Sequence, residues 1–328
     1  MREITFAEAT LEAMAEEMER DPKVFVWGED ISKQGGIFGQ FKGLTAKFPG
    51  RVIDTPISET AIVGGAVGAA LAGVRPVADM HFADFFGVCL DEVFNQMAKA
   101  RYMFGGQAKV PMVVRAPDGL TNCGAAQHSQ SVEAWFMHIP GIIVVAASNP
   151  ADAKGLLKSA IRSDNPVIYF ENKIIYRQKG PVPENSECPG GELLWPLGKA
   201  KVVREGKDVT ILSYSIKMND AKAAAETLAK EGIEAEVIDL MTISPWDKET
   251  ILNSVKKTHR LVIVHEAVKQ GGVGAEIAAT VAEEAIDYLD APIARLGAPF
   301  IPIPFSPTLE KEYRIFPEDI VKKVKEML

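Results

Sequence analysis

The chain has 328 residues, 47% of them hydrophobic and 24% charged, with a net charge of -8 and a pI near 5.3. That acidic balance excludes a dedicated nucleic-acid binder, and the length accommodates one large domain or two medium ones. Cys89, Cys123 and Cys188 are scattered and form no Cys-x-x-Cys pair, so a disulfide framework is not expected and a reducing, cytoplasmic setting is.

Thr5 followed three residues later by Glu8 is a capping-box pattern, and it opens an amphipathic helix to about Arg20. With the fold starting so early, no signal or transit peptide is expected. No stretch has the length and apolarity of a membrane span. Short apolar runs predict strands at 23–28, 51–54, 75–80, 110–115, 142–146 and 167–171. Between them, helices are expected at 60–73, 90–103 and 150–163, the last opened by Asn149-Pro150-Ala151-Asp152. This alternation predicts an α/β layered domain over residues 1–180. Residues 181–199 are rich in Pro and Gly and read as an interdomain connection. The alternation restarts in a smaller α/β domain, 200–328. Its strands are expected at 208–214, 234–240, 261–265 and 293–296, and its helices at 217–230, 247–256, 274–288 and 317–327.

Glu59 closes the run Asp54-Thr55-Pro56-Ile57-Ser58-Glu59 and precedes a helix of Ala, Gly, Val and Ile with no charge, which is expected to be buried. A carboxylate at the mouth of a buried helix finds a partner or changes its pKa. The plain alternative is a first-turn acid that satisfies helix N–H groups. Gln127-His128-Ser129-Gln130 follows the strand at 110–115 across a polar loop, and ligand sites in α/β sheets lie beyond the carboxyl ends of strands. His128 is therefore an acid–base candidate able to converge with Glu59, or else a hydrogen-bonded surface imidazole. In His81-Phe82-Ala83-Asp84-Phe85-Phe86-Gly87 a phenylalanine could stack on a planar ring, or simply fill core. Gly64 and Gly68 within the helix each cost ~1 kcal/mol against Ala, which close approach of another helix, at a subunit contact for instance, would offset. Gln270-Gly271-Gly272-Val273-Gly274 is only loosely like a phosphate-binding turn, and no full dinucleotide pattern or P-loop is present.

Taken together, these segments resemble the β subunit of the thiamine-diphosphate-dependent first component of 2-oxo acid and acetoin dehydrogenase complexes. The resemblance runs from Thr5-Phe6-Ala7-Glu8-Ala9 and Gly28-Glu29-Asp30 through the Glu59 segment and Gly73-Val74-Arg75-Pro76. Ala126-Gln127-His128-Ser129-Gln130, the segment 152–166 and His265-Glu266 complete it. It implies a transketolase-like architecture, a pyrimidine-binding domain followed by a transketolase C-terminal domain. By resemblance Glu59 hydrogen-bonds N1′ of the cofactor's aminopyrimidine, a role that a carboxyl group with a raised pKa in an apolar pocket would suit. Phe85 packs on the pyrimidine, Ile57 lines the same pocket, and His128 stands beside the reacting carbon and assists transfer to lipoamide. The family also often holds potassium on a loop matching Met112, Ala160, Ile161, Ser163 and Asn165, mostly through backbone oxygens.

The Gly-Asp-Gly motif that holds the cofactor's diphosphate through magnesium is missing; Asp118-Gly119 lacks the preceding glycine. The resemblance therefore implies a separate α subunit that supplies the magnesium site, in an α2β2 heterotetramer serving a lipoyl acyltransferase core. Gly87-Val88-Cys89 and the segment 95–106 look closest to acetoin-type members, and His81-Phe82-Ala83-Asp84-Phe85 is nearer the branched-chain and general 2-oxo acid members. A pyruvate- or acetoin-size substrate is favoured. The alternatives are half of a split transketolase-like enzyme and a non-catalytic docking or assembly subunit.

Overall fold

A computed structural model describes residues 1–328, which form two compact units. The first comprises Met1–Asp118 and Trp135–Leu197; the second comprises Gly119–Ala134 and Gly198–Leu328.

The first unit is built on a parallel sheet. From one side its strands run Ile143–Ala146, Val167–Asn172, Val113–Asp118, Arg75–Asp79, Val24–Gly28 and Val52–Asp54. Every residue of Val113–Asp118 and Val167–Asn172 is buried, as expected of central strands covered on both faces. The helix Phe6–Arg20 starts as the sequence predicts: Thr5 Oγ1 accepts the Glu8 N–H, and the Glu8 carboxylate accepts the Thr5 N–H. That helix packs on Pro150–Arg162. The buried Lys154 and Lys158 reach Glu12 and Glu16 across the contact, and Arg162 reaches Glu17.

The sheet interior also holds charge. Arg115 is fully buried, its Nη2 2.8 Å from Glu171 Oε1 and 3.1 Å from Thr10 Oγ1, with its guanidinium over the Phe41 ring. Tyr176 donates its hydroxyl hydrogen to Glu171. Asp79 ends the neighbouring strand, and burial pushes its carboxyl up to about 7, against the pull of Arg115.

Three expectations need revision and a fourth gains detail. The helix 90–103 is a π-helix, Glu92–Met97, followed by a short α-helix, Ala100–Met103. Here the Ala98 N–H reaches back to Val93 O, and the Ala98 carbonyl lies so close to Gly141 that a Cβ there would be 2.1 Å from it. The strand 110–115 begins only at Val113 because Pro111 has no N–H and the amides of Val110 and Met112 bond outside the ladder. The Pro/Gly-rich interdomain connection is anchored along its length. Lys179–Val182 pairs antiparallel with Arg2–Thr5, Leu193 is buried, and the Trp195 ring covers Gly155. Finally, the smooth helix, Glu59–Leu71, is buried on one face only: Ile62, Val63, Ala66, Val67 and Ala70 are covered, whereas Ala61, Gly68 and Leu71 are exposed.

The second unit carries a five-stranded sheet in the order Ala294–Ala298, Leu261–Val268, Val209–Ser213, Ala235–Asp239, Lys201–Arg204. Its pairs are parallel except the last, which is antiparallel. The helices Lys217–Ala229 and Pro317–Lys325 cover one face through Met218, Ala221, Ala225, Ile320 and Val324. The edge strand Lys201–Arg204 and the helix Pro307–Tyr313 escape sequence reading; each is short and half exposed, so neither leaves a long periodic run. Within Leu261–Val268, His265 is buried and its Nδ1 lies 3.0 Å from Ala267 O. Added Cβ atoms at Gly272, Gly274 and Gly297 would all fall within 3.2 Å of the ring, so its slot exists only because those residues are glycine.

Candidate active site

Glu59 stands at the start of its helix because the chain turns sharply out of strand Val52–Asp54. Asp54 Oδ1 accepts the Ser32 N–H at 2.6 Å, and the Thr55 N–H donates to Gly28 O at 2.9 Å. Ser58 occupies the N-cap position without capping through its side chain. Glu59 is half-buried by its own chain, and its neighbours are apolar and uncovered: Ile57 is 74% exposed and Val88 62%. Thr60 Oγ1 donates to Val88 O at 3.2 Å, which ties the helix start to the 3-10 helix Ala83–Val88. Phe85 lies on that 3-10 helix, half-buried, edge-on to Phe82 at 5.7 Å. Just beyond it, burial raises the Cys89 thiol to about 12, and the carboxylates of Glu92 and Glu59 add to the effect. Behind Glu59, the Trp27 indole donates to Ile62 O at 3.1 Å, and its ring fills the space where a Cβ on Gly65 would stand.

The first unit thus brings Ile57, Glu59 and the element bearing Phe85 onto adjoining surfaces. An acid flanked by uncovered aliphatic side chains and an aromatic ring has the chemistry to receive one face and one edge of a flat, nitrogen-bearing ring. These residues fit the aminopyrimidine half of thiamine diphosphate. No group of three or more His, Cys, Asp or Glu side chains is arranged to hold a metal ion.

His128 belongs to the second unit, exposed on the loop that joins strand Val113–Asp118 to helix Glu133–Met137. This loop is closed on itself: the Gly119 N–H donates to Gln130 O at 3.0 Å. Asn122, Cys123 and Ala125 all have positive φ, a conformation side chains resist unless the surroundings impose it. Gly124 has no room for a Cβ, which would lie 2.1 Å from Thr121 Oγ1 and 2.6 Å from Ser129 Oγ.

The loop matched to potassium also receives Arg75. Arg75 Nη1 donates to the carbonyls of Ile161 at 3.0 Å and Ser163 at 2.9 Å, and its Nη2 pairs with Asp164. Met112 O accepts the Val167 N–H, and Ala160 O accepts the Ser163 N–H. Two of the oxygens that the resemblance matches to potassium, those of Ile161 and Ser163, thus accept from a guanidinium whose charge Asp164 balances.

Sequence reading missed the Asp79–Arg115–Glu171 group and two carboxylates, Glu266 and Glu310, that reach the histidine loop. The only signals for the first were charged residues ending or interrupting apolar strands. The resemblance had picked out His265-Glu266 without a role for the acid, and neither acid's contact with the loop had a local signal, because the partners lie more than 100 residues away in the chain.

Comparison with known proteins identifies the domains and the family. Residues 2–179 match the transketolase pyrimidine binding domain, and residues 198–320 match the transketolase C-terminal domain. The chain is 48% identical over 322 residues to the acetoin:2,6-dichlorophenolindophenol oxidoreductase β subunit of Cupriavidus necator, covering 95% of this chain and 94% of that one. It is 46% identical to the mitochondrial pyruvate dehydrogenase E1 β subunit of Dictyostelium discoideum (99% and 91% covered). It is 44% identical to the 2-oxoisovalerate dehydrogenase β subunit of Bacillus subtilis (100% and 99%). Among solved structures, a split-gene transketolase described as an inactive β4 tetramer superposes with a TM-score of 0.81 at 26% identity, with 99% of this chain and 98% of that one covered. The chain therefore belongs to the thiamine-diphosphate-dependent, transketolase-like family, among the β subunits of 2-oxo acid and acetoin dehydrogenases.

Proposed function

We propose that this chain is the catalytic β subunit of an oxidoreductase that cleaves the C–C bond beside a carbonyl and passes the acyl group to lipoamide. Its substrate is of pyruvate or acetoin size. It works with an α subunit in an α2β2 heterotetramer, and the α chain holds the diphosphate and magnesium. The observation that carries this reading is Glu59, a half-buried carboxylate framed by uncovered Ile57 and Val88 at a helix start.

When bound, thiamine diphosphate supplies a nucleophilic carbon and an electron sink next to the substrate carbonyl. Glu59 would hydrogen-bond the pyrimidine N1′ and so favour the tautomer whose exocyclic nitrogen can accept a proton. Ile57 and Phe85 would pack on the ring and exclude water from that hydrogen bond, which would strengthen it. His128 presents an imidazole to the reacting carbonyl, where it can donate or accept a proton during acyl transfer. The exposed face of Glu59–Leu71, with Gly68 open to solvent, is read as a contact with another subunit. Potassium on the oxygens of Met112, Ala160, Ile161, Ser163 and Asn165 is part of the same proposal, beside the Arg75–Asp164 pair.

Mixed with its α subunit, Glu59→Gln is expected to assemble normally and to lose turnover about 100-fold or more, the scale of a lost general acid–base group. Wild-type turnover by the assembled variant overturns the assignment. An artificial-acceptor assay across pyruvate, acetoin and branched 2-oxo acids identifies the substrate. The likeness to the split-gene transketolase favours one second reading, a ketol-transferring half-enzyme, and a ketol-transfer assay with the cognate partner separates the two. A purely docking subunit would bind the acyltransferase core and be indifferent to Glu59→Gln.

A further inference from the structure

The loop bearing His128 lies between two elements of the first unit in sequence, yet its polar anchors belong to the second. Glu266 Oε2, near the end of the inner strand Leu261–Val268, accepts the Leu120 N–H at 3.2 Å and the Ser131 Oγ–H at 3.4 Å. A single carboxylate oxygen therefore takes both ends of the loop, where the Gly119–Gln130 bond also closes it. A second buried acid, Glu310 on helix Pro307–Tyr313, accepts the Cys123 N–H in the middle of the left-handed run. Arg314 donates both to Glu310 and to Asn122 Oδ1, the latter at 2.8 Å. Every one of these groups is in the second unit.

This is more polar anchoring than a surface loop needs. Three non-glycine residues with positive φ revert to ordinary conformations unless their amides are held. Charge-assisted bonds from backbone N–H to carboxylate are among the stronger ones available, and the acids receiving them are buried, so removing either acid strands its donors.

We propose that Glu266, seconded by Glu310, is the positioning residue of the histidine loop and sets where His128 is presented. The proposal rests on the catalytic reading of His128 given above. Glu266 touches no reacting atom in this account; it acts through the loop.

The test uses the assembled α/β enzyme. In Glu266→Ala, hydrogen exchange at the Leu120 and Cys123 amides is expected to rise about tenfold or more, while exchange at Val262 and Val264 is unchanged. Turnover is expected to fall about tenfold at nearly constant KM, the pattern of a misplaced catalytic group. Glu266→Gln, which still offers one oxygen to the two donors, should recover most of both losses. Combined with His128→Ala, Glu266→Ala should add no further loss, since both act through one imidazole. Unchanged exchange at Leu120, or losses that multiply in the double variant, overturns the proposal. If His128→Ala itself leaves turnover intact, the catalytic reading of that histidine fails, and the exchange measurement alone decides whether Glu266 holds the loop. Should Glu266→Ala fail to assemble, Ser131→Ala removes one donor and is expected to raise Leu120 exchange about threefold; no rise there counts against the proposal.

Discussion

Arg115 in the first unit and His265 in the second are buried in strands of the same kind of sheet, but they are satisfied by opposite means. The first keeps ions inside and pairs them: Arg115 with Glu171, next to an Asp79 that stays protonated to about 7. In the second, one buried ring is kept neutral instead: burial pushes His265 down to about 4, with Arg295 adding to the effect, in a slot shaped by three glycines. The lesson is that a buried titratable group survives either through a charged partner or through loss of its own charge. The choice determines how each unit responds to pH.

The largest test breaks the ion pair. Arg115→Met leaves Glu171 buried without its guanidinium and should cost roughly 3–5 kcal/mol. Hydrogen exchange is expected to show the loss in Val113–Asp118 and Val167–Asn172. An equal loss in the Val209–Ser213 strand would erase the distinction between the units.

The next test concerns Asp79. Its folded carboxyl is raised from 3.8 to about 7, so between those values the unfolded chain is ionised while the folded chain still carries the proton. The stability it contributes is complete below pH 3.8 and is lost as pH rises through about 7, up to about 4 kcal/mol. Asp79→Asn should flatten that decline in the pH profile of unfolding. An unaltered profile would mean that Asp79 is ionised in the folded protein.

His265 should give the opposite slope. Its folded value lies below the ordinary 6.5, so protonation favours the unfolded chain. The second unit should weaken as pH falls from 6.5 to about 4, by about 3 kcal/mol in all. An imidazole NMR resonance of His265 that titrates near 6.5 would contradict this.

The smallest test sets two kinds of glycine apart. In the second unit the glycines make room for a ring of the same chain. In the Glu59–Leu71 helix, Gly65 does so for Trp27, but a Cβ at Gly68 would meet nothing. Gly68→Ala should therefore stabilise the isolated chain by up to about 1 kcal/mol, as an exposed helix glycine predicts, while weakening assembly with the α subunit. Thermal melting of the lone chain and sedimentation of the mixture measure the two effects. Assembly at full strength would leave the proposed subunit contact unsupported.

The alternation of strands and helices, the capped first helix, the acid at 59 and the family were all legible before folding. All of these are written in local periodicity, capping residues or short ordered motifs. Only the tertiary structure decided that the Glu59 helix has an open face, that Arg75 takes the carbonyls matched to potassium, and that the His128 loop is held by Glu266 and Glu310. Each of those facts depends on groups brought together from distant parts of the chain: a face is open only when no neighbour covers it, and a carboxylate chooses its donors only after the strands carrying them have paired. Local pattern carries no trace of either.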